Sequence, residues 1–273
     1  MYYQTFKPHS DLETLVKCYW TLEVPAQQNL ERQLILPDGC VDMCFILGDN
    51  IKRYTSEIDF VIQPREMLLG QITEQFYIEP TGFVNTFAIR FYPYGLVNFI
   101  DLPLNELCNK ETPLNTLFGN EKAEKLSQKI IQAVSTENRI QIIEKFLLEK
   151  LYDKATIDNI VKSTIDIILL SNGSKPLNVI LKDDKSKRRQ LERNFKKQIG
   201  LSPKQLSKAI RLQATLQILL NDTTRTLTDI AYESEYYDQA HFIKDFKEFT
   251  GLTPKEFLTD EKMMLSSLLY KSN

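Results

Sequence analysis

Hydrophobic positions follow two different patterns along the chain. Up to about residue 112 they form short runs rich in aliphatic, β-branched and aromatic residues, of which 31–47 and 83–95 are the clearest. Turn-forming tripeptides separate these runs: Pro37-Asp38-Gly39, Gly48-Asp49-Asn50, Pro80-Thr81-Gly82 and Pro93-Tyr94-Gly95. Short apolar runs between turn signals are typical of a barrel or sandwich. The pattern therefore predicts a β-rich domain over residues 1–112.

From about Pro113 the spacing becomes helical. Apolar residues recur three and four positions apart on three successive stripes, within 126–134, 140–151 and 157–169. The pair Asn172-Gly173 then supplies a helix stop. We predict an α+β chain with four parts: the barrel-like or sandwich-like domain at 1–112, a helical connector at 113–173, an all-α domain at 174–260 and a C-terminal tail at 261–273.

A repeat at a spacing of 51 residues is the most informative feature, because residues 191–206 align with 242–257. The identical pairs are Phe195/Phe246, Lys196/Lys247, Gly200/Gly251, Leu201/Leu252, Pro203/Pro254 and Lys204/Lys255. In each copy an apolar pair anchors a helix face, a glycine ends that helix, and Ser-Pro or Thr-Pro begins the next. Ahead of the second copy the sequence predicts helix, short turn, helix. Two helix-turn-helix units follow from this order.

Charge is distributed unevenly along this part of the chain. The net charge is −2 overall, but residues 182–211 carry eleven Lys/Arg against three Asp/Glu, while 212–260 carry four against nine. A basic segment in an acidic chain is typical of a nucleic-acid contact. At 100° per residue, the outward stripe of the first repeat carries Arg189, Glu192, Arg193 and Lys196, with Lys187 and Arg188 nearby. The matching positions of the second repeat are Gln239, Ala240, His241 and Lys244. A solvated charged helix face is the alternative interpretation.

Three segments together resemble the AraC/XylS family of bacterial transcription regulators: RRQLERNFKKQIGLSPKQL, IRLQATLQILL and LTDIAYESEYYDQAHFIKDFKEFTGLTPKEF. The resemblance implies two helix-turn-helix units joined by a long helix at about 203–220. It also implies that the second helix of each unit enters a major groove on one face of double-stranded DNA. Arg189, Glu192 and Arg193 would then face bases in unit one, and Gln239, Ala240, His241 and Lys244 would hold the matching places in unit two.

The chain departs from the family pattern at several positions. Ile180 replaces a small alanine, Asp184 and Glu235 stand where the turns usually have glycine, and Thr215 replaces an alanine of the linker helix. A non-glycine turn residue costs about 1 kcal/mol if its backbone is left-handed. An interaction or ligand-binding protein with a degenerate DNA-binding domain therefore stays open as the alternative function.

The N-terminal half also resembles a known domain. LVKCYWTLEVP, LILPDGCVDMCFIL and FAIRFYPYGLVNFIDLPLNEL are similar to the uncharacterised strand-rich domain fused to one subgroup of these regulators. Such domains imply either sensing of a small-molecule effector or dimerisation. Five aromatic side chains are candidates to line a pocket or, as the simpler interpretation, to form core: Tyr19, Trp20, Phe45, Phe91 and Tyr92. Asp38 and Asp42, which flank Cys40, predict either a polar site or a plain turn.

The chain has few of the histidine and cysteine residues that catalytic and metal sites commonly use. The chain has two histidines, His9 and His241, and four cysteines without a CxxC pair, so we expect no catalytic residue, cofactor or metal site. We expect no enzyme, and we expect reduced thiols. No run approaches the roughly 18 apolar residues of a membrane helix, and a signal peptide is not recognisable, which predicts a cytoplasmic location. RNA polymerase is a candidate partner, and both monomer and homodimer stay open.

Overall fold

The computed structural model describes residues 1–26, 32–151, 157–176, 185–222 and 224–271. Ile180 and Asp184, two of the departures from the family pattern, lie outside these ranges. For Lys187 the backbone is described and the side chain is not.

The β-rich half folds into two antiparallel sheets. Their strands are Tyr2–Phe6 (β1), Val16–Val24 (β2), Gln33–Ile35 (β3), Val41–Ile46 (β4), Ile51–Tyr54 (β5), Phe60–Ile62 (β6), Glu66–Leu69 (β7), Phe76–Pro80 (β8), Val84–Phe91 (β9) and Glu111–Pro113 (β10). Among the described residues, one sheet has the order β1-β2-β9-β4-β7-β10 and the other β3-β8-β5-β6. The four predicted turns separate β3 from β4, β4 from β5 and β8 from β9, and follow β9.

Alternation along β9 determines what covers each face of the larger sheet. Phe87, Ile89 and Phe91 are fully buried on one face, in a core completed by the helices that follow the sheet. Ala88 packs on the opposite face with Trp20 and residues of the smaller sheet. Successive side chains of a strand point to opposite faces, so one strand serves both cores. The domain is therefore a two-sheet sandwich with a helical layer outside it.

The α-helices of the described residues follow β10. They are Leu114–Phe118 (α1), Asn120–Gln132 (α2), Thr136–Leu151 (α3), Asn159–Leu170 (α4), Lys185–Ile199 (α5), Pro203–Asn221 (α6), Leu227–Glu233 (α7), Gln239–Thr250 (α8), Pro254–Thr259 (α9) and Met264–Lys271 (α10). The predicted α+β fold, with strands first and helices after, is confirmed. Asn172 and Gly173 adopt positive φ after α4, as the predicted helix stop requires.

The predicted helical stripes are only partly buried. Leu126 and Ile130 of α2 are buried, but Ile131 and Val134, assigned to the same face, are 61% and 93% exposed. The helix ends at Gln132, so Val134 no longer follows helical spacing. The third stripe packs through Val161, Ile165 and Ile168 against α5 and α6 rather than against the sheet.

The two halves of the chain pack directly on each other. Gln213 Nε2 of α6 donates to the carbonyl of Pro37, 2.8 Å away. Gly39 has φ +74°, and a Cβ there would lie 2.9 Å from Leu206 Cδ1, so glycine allows the β3–β4 loop to approach α6. The segment predicted as a C-terminal tail contains α10, which returns to pack on β3 and α6. The β-rich half and the helical half of the chain are thus joined by direct contacts.

Candidate functional site

Unit two, Leu227–Thr250, has the complete helix-turn-helix order. Thr226 caps α7 in a capping box with Asp229, and Asp238 caps α8 by accepting from the backbone N–H of His241. Between the helices, the N–H of Tyr236 donates to the carbonyl of Ala231 and that of Glu235 to Tyr232. This is the hydrogen-bond pattern of a Schellman helix end, which places its C′ residue in the left-handed region. Glu235 is that residue, with φ 53°.

Replacing Glu235 with glycine should raise the free energy of unfolding by about 1 kcal/mol, because glycine adopts positive φ without a Cβ penalty. Urea denaturation followed by circular dichroism measures the change. Glu235→Ala is the matched control, since it removes the same carboxylate and keeps the Cβ. A gain of equal size in both variants would assign the effect to charge and not to backbone strain.

The second helix of unit one presents the predicted basic stripe to solvent. Leu191, Phe195 and Ile199 are fully buried and hold α5 against α4 and α6. The predicted residues on its opposite side are all exposed: Arg188, Arg189, Glu192, Arg193 and Lys196. Arg188 Nε lies 3.2 Å from Glu192 Oε1. Arg189, Arg193 and Lys196 form no ion pair with any described residue.

The second helix of unit two also exposes its predicted stripe. The four residues are Gln239, Ala240, His241 and Lys244. Thr228 Oγ1 donates to Gln239 Oε1 at 3.0 Å, which fixes the amide near the start of α8. His241 Nε2 lies 3.8 Å from Asp245 Oδ2. This stripe carries less positive charge than that of α5. Tyr237, just before α8, is 90% exposed, and the sequence analysis did not single it out.

Helix α6 joins the two units. Its 19 residues correspond to about 28 Å at 1.5 Å per residue, close to the roughly 34 Å of one DNA turn. Lys208 of α6 lies 3.1 Å from Glu248 and 3.7 Å from Asp245, so it ties the linker to α8. The two second helices are thereby held on one rigid connector, as reading two neighbouring groove segments requires.

A second candidate site is a cavity of about 110 Å³ between the two sheets. Its wall is largely apolar, with side chains from both sheets. Its lining residues include Trp20, Cys44, Met67, Phe76, Ile78 and Leu265. Apolar walls with a few convergent polar groups are typical of small-molecule sites.

The polar end of this cavity is a buried charge cluster. Arg90 Nη2 lies 2.9 Å from Asp42 Oδ2 and 3.0 Å from Asp38 Oδ2, and Arg90 Nε donates to Asp42 Oδ1 at 3.1 Å. Trp20 Nε1 donates to the same Asp42 oxygen at 3.0 Å. Burial alone lowers the pKa of Arg90, but the two carboxylates raise it well above its ordinary value. The cluster therefore combines two carboxyl side chains with one guanidinium.

Only some of the aromatic residues predicted to line a pocket lie at the cavity. Trp20 lines the cavity. Tyr19, Phe45 and Phe91 lie on the other face of the sheet, in the helix-side core, so the simpler interpretation holds for them. Asp38 and Asp42, for which the sequence left a polar site and a plain turn open, both contact Arg90, and Asp38 also lies in the turn between β3 and β4. The sequence analysis missed Arg90 and Leu265, although a lone arginine inside the apolar run FAIRF was a usable signal.

Chemistry beyond binding finds little support among the described residues. The four cysteines are all free. Burial raises the pKa of Cys40 to about 12, so its thiol stays protonated and is a poor nucleophile. Within the described ranges no group of three or more His, Cys, Asp or Glu could hold a metal ion. None of the described helices combines the length and the apolar composition that crossing a bilayer requires.

Comparison with known proteins supports both halves of the architecture. Residues 185–260 match the family model described as a helix-turn-helix domain, and residues 4–113 match a domain of unknown function, DUF6597. An uncharacterized HTH-type transcriptional regulator of Haemophilus influenzae is 25% identical over 171 residues. That alignment covers 60% of this chain and 55% of the relative, so the similarity spans about half of the relative's length.

Solved structures show a similar arrangement. ToxT from Vibrio cholerae O395, bound to (E)-4-(8-methylnaphthalen-1-yl)but-3-enoic acid, superposes with a TM-score of 0.50 at 14% identity, covering 94% of this chain and 98% of that one. Another crystal form of ToxT gives 0.47 at 13% identity, with the same coverage. At such identities the likeness concerns the fold alone.

Proposed function

The chain belongs to the AraC type of helix-turn-helix proteins and has a DUF6597 domain at its N-terminal end, and we propose that it is a sequence-specific DNA-binding transcription regulator. The observation that carries the proposal is the exposed basic stripe Arg189–Arg193–Lys196 on α5, which forms no ion pair with the residues that the structure describes. Arginine can donate two hydrogen bonds to guanine, and both Arg and Lys can neutralise phosphates. Gln239, Ala240, His241 and Lys244 are the proposed contacts of unit two.

We further propose that a small molecule controls this regulator from the inter-sheet cavity. The cavity combines an apolar wall with the Arg90 cluster, and its β3–β4 loop contacts α6. ToxT, which shares the fold, has been solved with an organic acid bound. The Arg90 cluster favours a ligand whose chemistry differs from that of the organic acid bound to ToxT.

The proposed division of the chain remains 1–112, 113–173, 174–260 and 261–273, and the proposed location is the cytoplasm. The proposed activity is binding without catalysis. RNA polymerase is a proposed partner that contacts the DNA-bound form. Sedimentation of the protein with and without its operator would separate a monomer, whose two units occupy one site, from a homodimer.

Selection of random duplex DNA by the purified protein tests the proposal directly. We expect an enriched motif with two half-elements about 10 base pairs apart, because α6 connects two reading helices. Binding of the winning sequence is then repeated at two salt concentrations. Weak binding that has no sequence preference and vanishes at moderate salt would contradict the proposal and favour the degenerate DNA-binding domain.

Arg193→Ala should weaken binding to the selected site by about 1–3 kcal/mol, because a base-contacting arginine contributes discrimination as well as charge. Arg189→Ala should behave in the same way. Titration of labelled operator and of a scrambled duplex measures both affinities.

Lys196→Ala is the matched control on the same stripe. It should weaken both duplexes equally and lower the salt slope by about 1, as loss of one phosphate contact does. If Arg189→Ala and Arg193→Ala leave operator affinity unchanged, α5 does not occupy the groove.

A further inference from the structure

A side chain from the opposite end of the sequence lines the cavity between the sheets. Leu265, on the C-terminal helix α10, lines the cavity and is 4% exposed. Its backbone N–H donates to Gln33 Oε1 at 3.0 Å, and the hydroxyl of neighbouring Ser266 donates to the carbonyl of Leu34. Gln33 and Leu34 belong to β3 of the smaller sheet. Helix α10 therefore acts as an intramolecular occupant at the edge of the cavity.

The same helix is part of the DNA-binding half. It follows unit two by a short segment and packs on the linker helix α6 as well as on β3. Met263, just before it, is buried in the core that contains Phe242 and Phe246 of α8. Displacing Leu265 from the cavity would disturb contacts with the linker between the two reading helices. Occupancy of the cavity and arrangement of the DNA-binding units are thus mechanically connected.

Size limits what the cavity admits while Leu265 is in place. Its volume of about 110 Å³ is smaller than an apolar cavity of about 150 Å³ known to hold benzene. A ligand with a six-membered ring and a polar head needs more room than this. The side chain of Leu265 occupies space that such a ligand would use, so ligand and helix compete for the same volume.

Charge limits the chemistry of the polar head. At the polar end of the cavity two acidic side chains, Asp38 and Asp42, face one basic side chain, Arg90. All three side chains are at least 87% buried. Adding a carboxylate would place a second uncompensated negative charge in a desolvated site, which is strongly unfavourable. An ammonium group would balance the cluster and donate hydrogen bonds to the carboxylates. The cluster therefore selects against acids and favours amines.

We propose that the cavity binds a compact apolar amine, and that α10 is a built-in plug whose Leu265 leaves the cavity when the amine enters. The proposal rests on the ligand control proposed above and names its chemistry and its moving part. The β3–β4 loop gives a second route to the DNA-binding half, because Asp38 contacts Arg90 while Gly39 packs on Leu206 of α6.

Benzylamine, benzyl alcohol and benzoate are suitable probes, since they share one ring and differ in the charge of the head. Trp20 is the chain's single tryptophan and lines the cavity, so its fluorescence reports occupancy. We expect benzylamine to bind most tightly and benzoate least. Leu265→Ala should bind benzylamine about tenfold more tightly than the unmodified protein, because no buried leucine then has to be displaced. Equal binding of benzoate and benzylamine would overturn the charge argument.

Leu258→Ala is the matched control, because it makes the same truncation at a 47% exposed site outside the cavity. Equal benzylamine affinity in both leucine variants would overturn the plug. Leu265→Val provides a milder truncation if Leu265→Ala does not fold. In the unmodified protein, saturating benzylamine should speed tryptic cleavage after exposed Lys262, and an unchanged rate would mean that α10 stays in place.

Selection of DNA without any probe separates this inference from the proposed function. If the protein selects DNA but binds none of the three probes, the proposed regulator stands and the amine site is overturned. If the protein binds the probes in the expected order of affinity but selects no DNA, the amine site stands and the proposed regulator is overturned.

Discussion

Phe246→Ala is expected to lower the free energy of unfolding by about 3–5 kcal/mol, the usual cost of truncating a fully buried phenylalanine. Phe246 is 0% exposed and lies edge-on to two neighbouring rings, with centroid distances of 5.7 Å to Phe242 and 5.4 Å to Phe257. Because both partners belong to the core behind α8, the cavity left by the truncation directly undermines α8, the proposed DNA-reading helix of unit two. Urea denaturation followed by circular dichroism measures the loss.

Tyr237→Ala provides the comparison for Phe246→Ala. It removes an aromatic ring of similar size from the same unit at a site that is 90% exposed, so its effect on stability should stay within about 0.5 kcal/mol. A loss below 1 kcal/mol for Phe246→Ala would mean that the aromatic core is not closely packed, and the placement of α8 would then be in doubt.

Unit two and the second helix of unit one were predictable because their signals are local. Gly251 is left-handed with φ 72°, and Ser202 and Thr253 each form a capping box, as the repeat predicts. Such signals act within one or two helical turns, so a single sequence reveals them. The exposure of the predicted stripe residues follows from the same periodicity that buries Leu191 and Phe195.

The cavity was not predictable, because it depends on contacts between distant residues. Asp42 and Arg90 are 48 positions apart and meet through the register of β4 and β9. Leu265 reaches Gln33 across 232 positions. Sequence patterns indicate which residues are apolar, but they do not specify which strands pair or which helix returns to cover them. For this reason the C-terminal segment was predicted only as a tail.

Arg90→Met is expected to lower the free energy of unfolding by about 3–5 kcal/mol, because it leaves Asp42 and Asp38 buried without their cation. Methionine keeps much of the side-chain length and apolar contact, so the change isolates the loss of charge. Asp42 has a 7% exposed side chain, and among the described residues it would keep the hydrogen bond from Trp20. Denaturation followed by Trp20 fluorescence measures the loss and reports on the cluster itself.

Two further variants determine whether charge is the cause. Lys162→Met removes the cation of an exposed ion pair with Asp166 and should cost no more than about 0.5 kcal/mol, since solvent screens such pairs. Adding Asp38→Asn and Asp42→Asn to Arg90→Met should recover part of the lost stability, because no unpaired charge then remains buried. If the triple variant is as unstable as Arg90→Met alone, packing rather than charge holds this end of the cavity together, and the preference for an amine would lose its physical basis.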